Sequence, residues 1–339
     1  MIDIAFFIVL YHLSKFHFPL YNVKNDFQKG GKTMQKRRIG SSDLYVSEIG
    51  LGCMSLGTDE KKAIRIIHEA LERGINYLDT ADLYDRGLNE EFVGKAIKGK
   101  RDQVILATKV GNRWEEGKDG WFWDPSKKYI KSEVKESLRR LQTDYIDLYQ
   151  LHGGTIDDPI DETIEAFEEL KQEGVIRYYG ISSIRPNVIR EYVKRSNIVS
   201  VMMQYSLLDR RPEEWFPLLR EHNISVIARG PVAKGLLTER PLEAASDAVK
   251  ENGYLDYTYE ELQTLIPKLK AKTAGHRSFT ATALQFCLYD PVVAAAIPGA
   301  SSIEQLIENI NAASAPRLTK EEYEWLRQHT KASVYNMHR

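Results

Sequence analysis

The stretch from Asn76 to Tyr84 reads NYLDTADLY, and its two halves differ in character. The first half belongs to the apolar run 75–80, which predicts a buried strand, and the second half is a polar turn. In parallel α/β architectures, catalytic and binding groups lie where strands end. Asp79 and Tyr84 are therefore candidate functional residues. Taken alone, Asp79 could equally cap the turn and Tyr84 could simply cover the rim.

An alternation of helix and strand surrounds this stretch. Apolar periodicity predicts a helix from Asp59 to Arg73, ended by Gly74, and a later helix that begins just after Asp161 and ends at Gly174. Short segments rich in β-branched and aromatic residues predict eight parallel strands. These strands are Ile49–Cys53, Ile75–Thr80, Val104–Val110, Ile146–His152, Tyr178–Ser182, Val199–Tyr205, Ser225–Arg229 and Val293–Pro298.

Eight strand–helix units predict an α/β fold, a closed (β/α)8 TIM barrel that ends in a C-terminal helix. Two shorter strands, Arg37–Ile39 and Tyr45–Ser47, predict an N-terminal β-hairpin that plugs the barrel. An open doubly wound sheet is the alternative fold. It normally carries G-x-G-x-x-G after its first strand, whereas the glycines between Gly50 and Gly57 have a different spacing.

Composition and charge exclude several classes of protein. The chain has 339 residues, with 47 basic and 48 acidic side chains and a net charge of −1, which argues against nucleic acid as a partner. The two cysteines, Cys53 and Cys287, are far apart and have no basic or histidine neighbours. We therefore expect buried thiols in a reducing, cytoplasmic environment, with no disulfide and no metal site.

Residues 1–33 differ from the rest of the chain. Ile4–Leu13 is apolar but too short to span a bilayer, and Asp3 stands where a signal peptide would carry positive charge. A polar, glycine-containing segment follows it. We therefore predict that residues 1–33 are an extension outside the fold and that Met34 is the natural start. A membrane-associating arm is the alternative interpretation.

Two connections on the predicted catalytic face are long. Residues 111–126 contain the aromatic side chains Trp114, Trp121, Phe122 and Trp123 in an otherwise polar segment, and residues 230–257 are polar and carry several glycines. Aromatic residues in such a loop either clamp the loop to the barrel or line a pocket. We expect a pocket wall, because small-ligand sites combine aromatic lining with a few polar groups.

Four ionisable residues lie at the ends of three consecutive predicted strands: Asp79, Tyr84, Lys109 and His152. A buried ammonium group requires a partner, and Asp79 on the adjacent strand can provide a carboxylate for Lys109. A nearby cation also favours the ionised form of a phenol, whose ordinary pKa is near ~10. Tyr84 then suits the role of general acid toward a carbonyl oxygen, with His152 orienting that oxygen. This chemistry is that of carbonyl reduction by a bound nicotinamide.

The sequence resembles the aldo-keto reductase superfamily from Met34 to the C-terminus, residues 34–339. The resemblance is carried by GLGCM at 50–54, NYLDTA at 76–81, TK at 108–109, DYIDLYQLH at 144–152, GVIR at 174–177, GIS at 180–182 and IPGA at 297–300. It implies a TIM barrel, NADPH as the usual reductant and a small aldehyde or ketone as substrate. It also assigns the family's catalytic tetrad to Asp79, Tyr84, Lys109 and His152.

The nicotinamide end of the site matches the family less evenly. The resemblance places Ser182 beside the nicotinamide amide, with Ser183 where the family has asparagine. The expected glutamine falls on Met202, with Gln204 close by as a substitute. Arg229 stands where the family often has an aromatic residue that stacks on the ring. A cation there would disfavour the oxidised, positively charged ring.

The adenosine end is predicted at the start of a helix near Ile303. Ser301 and Ser302 precede this helix, so free N–H groups and hydroxyls would face the cofactor phosphate. Gln305 and Asn309 follow one turn apart on the same face. The family often has a basic residue in place of one of these serines.

The leading hypothesis is an NADPH-dependent aldehyde or ketone reductase in which Tyr84 donates the proton. The alternative is a cofactor-binding regulatory barrel with little turnover, as in some relatives of channels. No membrane or nucleic-acid partner is expected. The substrate and the oligomeric state stay open.

Overall fold

The computed structural model describes residues 34–339. The predictions made for Ile4–Leu13 and for residues 1–33 as an extension lie outside the described residues. Among the residues described, no helix is both long and apolar enough to cross a membrane.

Strands and helices alternate along the described chain. The strands are β1 Lys36–Arg38, β2 Tyr45–Ser47, β3 Leu51–Gly52, β4 Tyr77–Asp79, β5 Ile105–Val110, β6 Asn112–Arg113, β7 Phe122–Trp123, β8 Ile146–Leu151, β9 Ile176–Ser182, β10 Ser200–Gln204, β11 Ser225–Arg229 and β12 Val293–Ile297. The helices are α1 Glu60–Glu72, α2 Leu88–Ile97, α3 Lys127–Leu141, α4 Ile160–Gln172, α5 Pro186–Arg195, α6 Phe216–Glu221, α7 Asp247–Asn252, α8 Tyr259–Thr273, α9 Phe279–Cys287, α10 Ile303–Ser314 and α11 Lys320–Gln328.

Eight of the strands form one parallel sheet in the order β3-β4-β5-β8-β9-β10-β11-β12. Parallel bridges from Ile49 to Ala296 and from Gly52 to Gly299 join the two edge strands. The sheet therefore curves into a barrel with the helices around it, and the predicted (β/α)8 fold is confirmed. The predicted C-terminal helix is α11.

The hairpin β1–β2 closes the end of the barrel at which the strands begin. Its apolar side chains Ile39, Leu44 and Val46 pack with Tyr77 and Leu148 in the barrel interior. The guanidinium of Arg37 at this end donates to the carbonyl oxygen of Val293 at 2.9 Å. The hairpin fills this end, so a ligand site is expected at the opposite end of the barrel, where the strands end.

Several local boundaries differ from the predictions, most of them by one or two residues. Helix α4 begins at Ile160, so Asp161 lies inside its first turn, where a carboxylate favours the helix N-terminus, rather than before the helix. The first barrel strand is shorter than predicted, because residues 53–56 form a 3₁₀ turn. The long connection 230–257 contains the short helix α7. Helix α1, with Asp59 as its N-cap, agrees with its prediction.

Candidate active site

The ammonium group of Lys109 lies at the centre of the polar cluster at the strand ends. It donates to Asp79 Oδ1 at 2.6 Å, to the carbonyl oxygen of Thr80 at 2.7 Å and to Tyr84 Oη at 3.2 Å. Lys109 is completely buried and Asp79 nearly so. Three donors meet three acceptors, so the buried cation is fully satisfied and holds the phenol of Tyr84 in a fixed place.

Sheet register explains why these residues meet. Asp79 ends β4 and is paired in the ladder with Ala107 of β5, so Lys109 lies two residues farther along that neighbouring strand. Side chains two residues apart on a strand point to the same side, and Tyr77 and Ala107 both pack in the barrel interior. Asp79 and Lys109 therefore point into the barrel mouth.

Gln150 is a member of this cluster that the sequence analysis did not single out. It is paired in the ladder with Lys109, and its Nε2 donates to Asp79 Oδ2 at 3.2 Å, so each oxygen of that carboxylate accepts one hydrogen bond. The sequence could have indicated Gln150 as a member of the cluster. It lies two residues before His152, and residues two apart on a strand face the same side of the sheet. Gln150 Oε1 is buried without a partner among the described residues.

Opposing effects act on the pKa values of Lys109 and Asp79. Burial lowers the pKa of Lys109, but the Asp79 carboxylate and the Tyr84 hydroxyl outweigh it and raise the pKa on balance. Burial raises the pKa of Asp79, and the contacts with Lys109 and Gln150 oppose that effect. Lys109 is therefore charged, because the nearby carboxylate of Asp79 offsets the free-energy cost of burying the ammonium.

His152 follows β8 directly, and its backbone N–H donates to the carbonyl oxygen of Val110 at 2.8 Å. Its ring meets that of Tyr84 edge to face, with 5.9 Å between the ring centroids. Burial, together with the positive charges of Lys109 and Arg229, lowers the pKa of His152 to about 3. The imidazole is thus neutral at physiological pH and carries a single N–H.

The turn that carries Tyr84 has an unusual backbone. Asp85 and Arg86 have φ angles of 49° and 54°, and Gly87 follows with a φ angle of 85°. Left-handed conformations are unfavourable for residues with a side chain, so surrounding contacts must hold this turn. Arg86 donates to the carbonyl oxygen of Lys118 at 3.2 Å, which ties the turn to the connection 111–126.

Two of the four aromatic side chains in the connection 111–126 clamp it to the barrel. Trp114 Nε1 donates to the carbonyl oxygen of Asp82 at 3.2 Å, and Trp123 Nε1 donates to Asp158 Oδ1 at 2.9 Å. The other two, Trp121 and Phe122, are 55% and 41% exposed. Trp114 and Trp123 thus anchor the loop through their indole N–H groups, and the expected pocket wall stays a prediction.

A buried ionic network supports the cluster from the outside of the barrel. Arg140 of α3 donates to Glu90 Oε2 at 2.7 Å and also contacts Glu133. The other oxygen of Glu90 accepts a hydrogen bond of 2.5 Å from Thr108, the neighbour of Lys109 in β5. This chain of contacts fixes α2 and α3 against the strand that carries Lys109.

Asp82 is a buried carboxyl group beside this network. Tyr129 donates to its Oδ2 at 3.4 Å, and its Oδ1 has no partner among the described residues. Burial and the charges of Glu90 and Glu133 raise the pKa of Asp82 well above its ordinary value. A carboxyl group in this environment favours its neutral form.

Strands β9, β10 and β11 end on the same side of the barrel. Ser182 closes β9. Ser183 holds its own loop, because its hydroxyl accepts from the backbone N–H of Arg185 at 3.1 Å. Arg229 Nη1 donates to Gln204 Oε1 at 2.9 Å, and Gln204 Nε2 donates to Tyr254 Oη at 3.4 Å.

The start of α10 holds the four residues predicted for the adenosine end. The backbone N–H and the hydroxyl of Ser301 both donate to Gln305 Oε1, at 2.9 and 3.0 Å. Ser302 is the N-cap and accepts from the N–H of Gln305. Asn309 donates to the carbonyl oxygen of Gly299, so its amide braces the loop. The two donors of Ser301 thus converge on one oxygen and form a small cradle at the helix N-terminus.

Charged residues surround this cradle. Hydrogen bonds from its own backbone N–H and from Ser302, and then the charges of Arg65 and Lys62, hold the pKa of Glu304 below its ordinary value. Glu304 therefore places a negative charge at the helix N-terminus, and Arg65 and Lys62 of α1 face it. These two cations were not predicted from the sequence, because α1 and α10 meet only when the barrel closes.

Comparison with known proteins agrees with this arrangement. The model of the Aldo/keto reductase family matches residues 48–331. The chain is 68% identical over 306 residues to the uncharacterized oxidoreductase YqkF of Bacillus subtilis, covering 90% of this chain and 100% of that protein.

Two solved structures extend the comparison. The holo form of aldo-keto reductase AKR11C1 from Bacillus halodurans is 66% identical with a TM-score of 0.85, and the match covers 90% of this chain and 99% of that one. An aldo/keto reductase from Klebsiella pneumoniae, in complex with NADP and acetate, is 27% identical with a TM-score of 0.70 over 89% and 98% of the two chains. The chain belongs to the aldo-keto reductase family and is an NAD(P)H-dependent oxidoreductase.

Proposed function

We propose that this protein reduces a small aldehyde or ketone to the corresponding alcohol with NADPH as reductant. The observation that carries the proposal is the position of Lys109 Nζ, 2.6 Å from Asp79 Oδ1 and 3.2 Å from Tyr84 Oη. A buried ion pair directed at a phenol in the open end of a barrel is an arrangement for proton transfer.

Tyr84 acts as the general acid. Its hydroxyl transfers a proton to the carbonyl oxygen of the substrate, and the ammonium of Lys109 stabilises the phenolate that is left until solvent returns the proton. The neutral His152 donates one hydrogen bond to the same oxygen and orients it. When bound, the nicotinamide of NADPH supplies the hydride, two electrons and one proton, to the carbonyl carbon.

Residues at the strand ends and at α10 hold the cofactor in this proposal. Ser182, Gln204 and Arg229 surround the nicotinamide end, with Ser183 supporting that loop. Ser301, Ser302 and Gln305 hold the adenosine phosphate, and Asn309 braces the loop beside them. The Klebsiella relative solved with NADP supports a nucleotide site in a barrel of this kind.

The test measures NADPH oxidation with a panel of small aldehydes and ketones. Wild-type protein should turn over several of them. Tyr84→Phe should reduce turnover by a factor on the order of 10²–10⁴, because the ring remains and only the proton donor is lost. Its affinity for NADPH should hardly change. The matched control is Tyr45→Phe in the hairpin at the closed end, where the side chain is 54% exposed.

Two outcomes would contradict the proposal. A Tyr84→Phe variant that retains half of the wild-type activity would end the assignment of Tyr84 as proton donor. Tight NADPH binding without turnover of any carbonyl would instead favour the alternative, a cofactor-binding regulatory barrel.

A further inference from the structure

Arg229 brings a positive charge to the barrel mouth that no nearby carboxylate neutralises. It is the last residue of β11, and Ile227, two residues earlier, packs in the barrel interior, so the Arg229 side chain starts on that same inner side. Its hydrogen-bond partner is the neutral amide of Gln204, at 2.9 Å. Within residues 34–339, no carboxylate oxygen lies within 4.0 Å of this guanidinium. By contrast, Arg211 nearby is paired with Asp209 at 2.7 Å.

The other charges of the mouth balance one another. Lys109 and Asp79 form an ion pair, and His152 is neutral. The guanidinium of Arg229 is close enough to His152 for its charge to contribute to the lowered pKa of that ring. The mouth therefore has an excess of positive charge next to the groups that would act on the substrate.

This excess charge distinguishes between the two forms of a nicotinamide cofactor. In the proposed reaction, carbonyl plus NADPH plus a proton gives alcohol plus NADP⁺, and the ring becomes positively charged when it gives up its hydride. To react at a carbonyl beside Tyr84 the ring must lie in this mouth, and there Arg229 repels the oxidised ring more than the neutral, reduced one. Arg229 is partly buried, so bulk water weakens this repulsion less than it would at an exposed position.

We propose that Arg229 makes this protein bind NADPH more tightly than NADP⁺. The inference rests on the proposed function, because it assumes that the mouth holds a nicotinamide ring. As a consequence, the reduced form occupies the site preferentially when the two forms are present at equal concentration.

The test compares dissociation constants of NADPH and NADP⁺, measured by calorimetry without any carbonyl substrate. For wild-type protein the constant for NADP⁺ should be larger, and Arg229→Gln should reduce the ratio of the two constants roughly tenfold. Arg229→Lys keeps the charge and should keep most of the ratio. The control is Arg139→Gln on the exposed face of α3, which should change neither constant.

The possible results separate this inference from the proposed function. If neither cofactor form binds to wild-type protein, both the inference and the proposed function fail. If both bind and Arg229→Gln weakens them equally, Arg229 is an ordinary anchor and the inference alone is overturned. Arg229→Lys could instead lower the ratio of the two dissociation constants as much as Arg229→Gln does. The planar guanidinium and not its charge would then be responsible, and the inference is again overturned. Melting temperatures of the three variants near that of wild type exclude misfolding, and Arg229→Met replaces Arg229→Gln if that variant does not fold.

Discussion

At the scale of single residues, Lys109 contributes both to the stability of the fold and to the proposed proton transfer. Its ammonium neutralises the buried carboxylate of Asp79 and contacts the phenol of Tyr84. Lys109→Met keeps much of the side-chain length but leaves Asp79 buried without its cation. We therefore expect turnover to fall on the order of 10²–10⁴-fold. We also expect a loss of roughly 3–5 kcal/mol in the free energy of unfolding, unless Asp79 takes up a proton.

Steady-state kinetics and denaturant unfolding of Lys109→Met check both expectations. The control is Lys135→Met, an exposed lysine of α3 without an ion pair in the part of the chain that the structure describes. It should change neither quantity. Normal turnover by Lys109→Met would show that the ammonium is not needed for proton donation by Tyr84.

The sequence allowed the ionisable members of the cluster to be predicted, but not the contacts between them. Residue type and position at a strand end pointed to Asp79, Tyr84, Lys109 and His152, and the structure brings all four together. The bonds of Arg229 to Gln204 and of Gln204 to Tyr254 could not be predicted, because they depend on side-chain conformations across neighbouring elements. Their roles toward a cofactor remain proposals.

At the scale of elements, Arg140 and Arg139 offer a matched pair on one helix. Arg140 is buried between Glu90 and Glu133, whereas Arg139 is exposed and, within residues 34–339, pairs only with Glu136 on its own helix. Arg140→Met would leave the buried carboxylate of Glu90 and the partly buried carboxylate of Glu133 without this cation, which should cost roughly 3–5 kcal/mol of unfolding free energy. Arg139→Met should change it by at most about 0.5 kcal/mol. Denaturant unfolding measures both, and equal losses would mean that the buried network does not stabilise the packing of α2 and α3.

Asp82, in the turn after β4, should give the protein a pH-dependent stability. Its pKa in the folded protein is raised well above the ordinary value of 3.8. The folded state therefore keeps a proton that the unfolded state has already lost. As a result, the Asp82 contribution to the unfolding free energy falls as the pH rises from about 4 through the folded-state pKa.

Asp82→Asn removes this titration while keeping the shape of the side chain. The stability of the variant relative to wild type should therefore increase with pH across that range. Asp119→Asn, at an exposed position, is the control. Unfolding curves collected from pH 4 to neutral provide the comparison, and a constant difference between Asp82→Asn and wild type would show that Asp82 titrates normally.

Elements were predicted better than the connections between them. Strand and helix periodicities follow from burial, which repeats along the chain, so β11 and α1 agree closely with their predictions. Helix α4 starts earlier than expected because Pro159 already provides a turn at its N-terminus. The anchoring of the aromatic loop could not be predicted, because sequence cannot tell whether an indole N–H faces a ligand or donates to a carbonyl oxygen of its own chain, as in Trp114.

At the scale of the whole molecule, basic and acidic residues are nearly equal in number, 47 and 48, so the overall charge gives little attraction to a phosphate. Cofactor choice must then depend on local groups. Ser301 and Ser302 offer neutral hydrogen-bond donors to a phosphate. The carboxylate of Glu304 repels a phosphate, whereas Arg65 and Lys62 of α1 attract it. We expect a preference for NADPH over NADH that is smaller than in relatives with a basic residue beside the helix.

Kinetics with both cofactors at low and high salt test this expectation. The ratio of kcat/KM for NADPH to that for NADH should exceed one and should fall as salt rises, because exposed charges are screened over about 10 Å at 0.1 M ionic strength. Glu304→Gln removes the opposing carboxylate and should raise the ratio. Glu308→Gln, farther along the same helix, is a matched control for the change of charge. Equal efficiency with both cofactors, or a clear preference for NADH, would show that the start of α10 does not hold the 2′-phosphate.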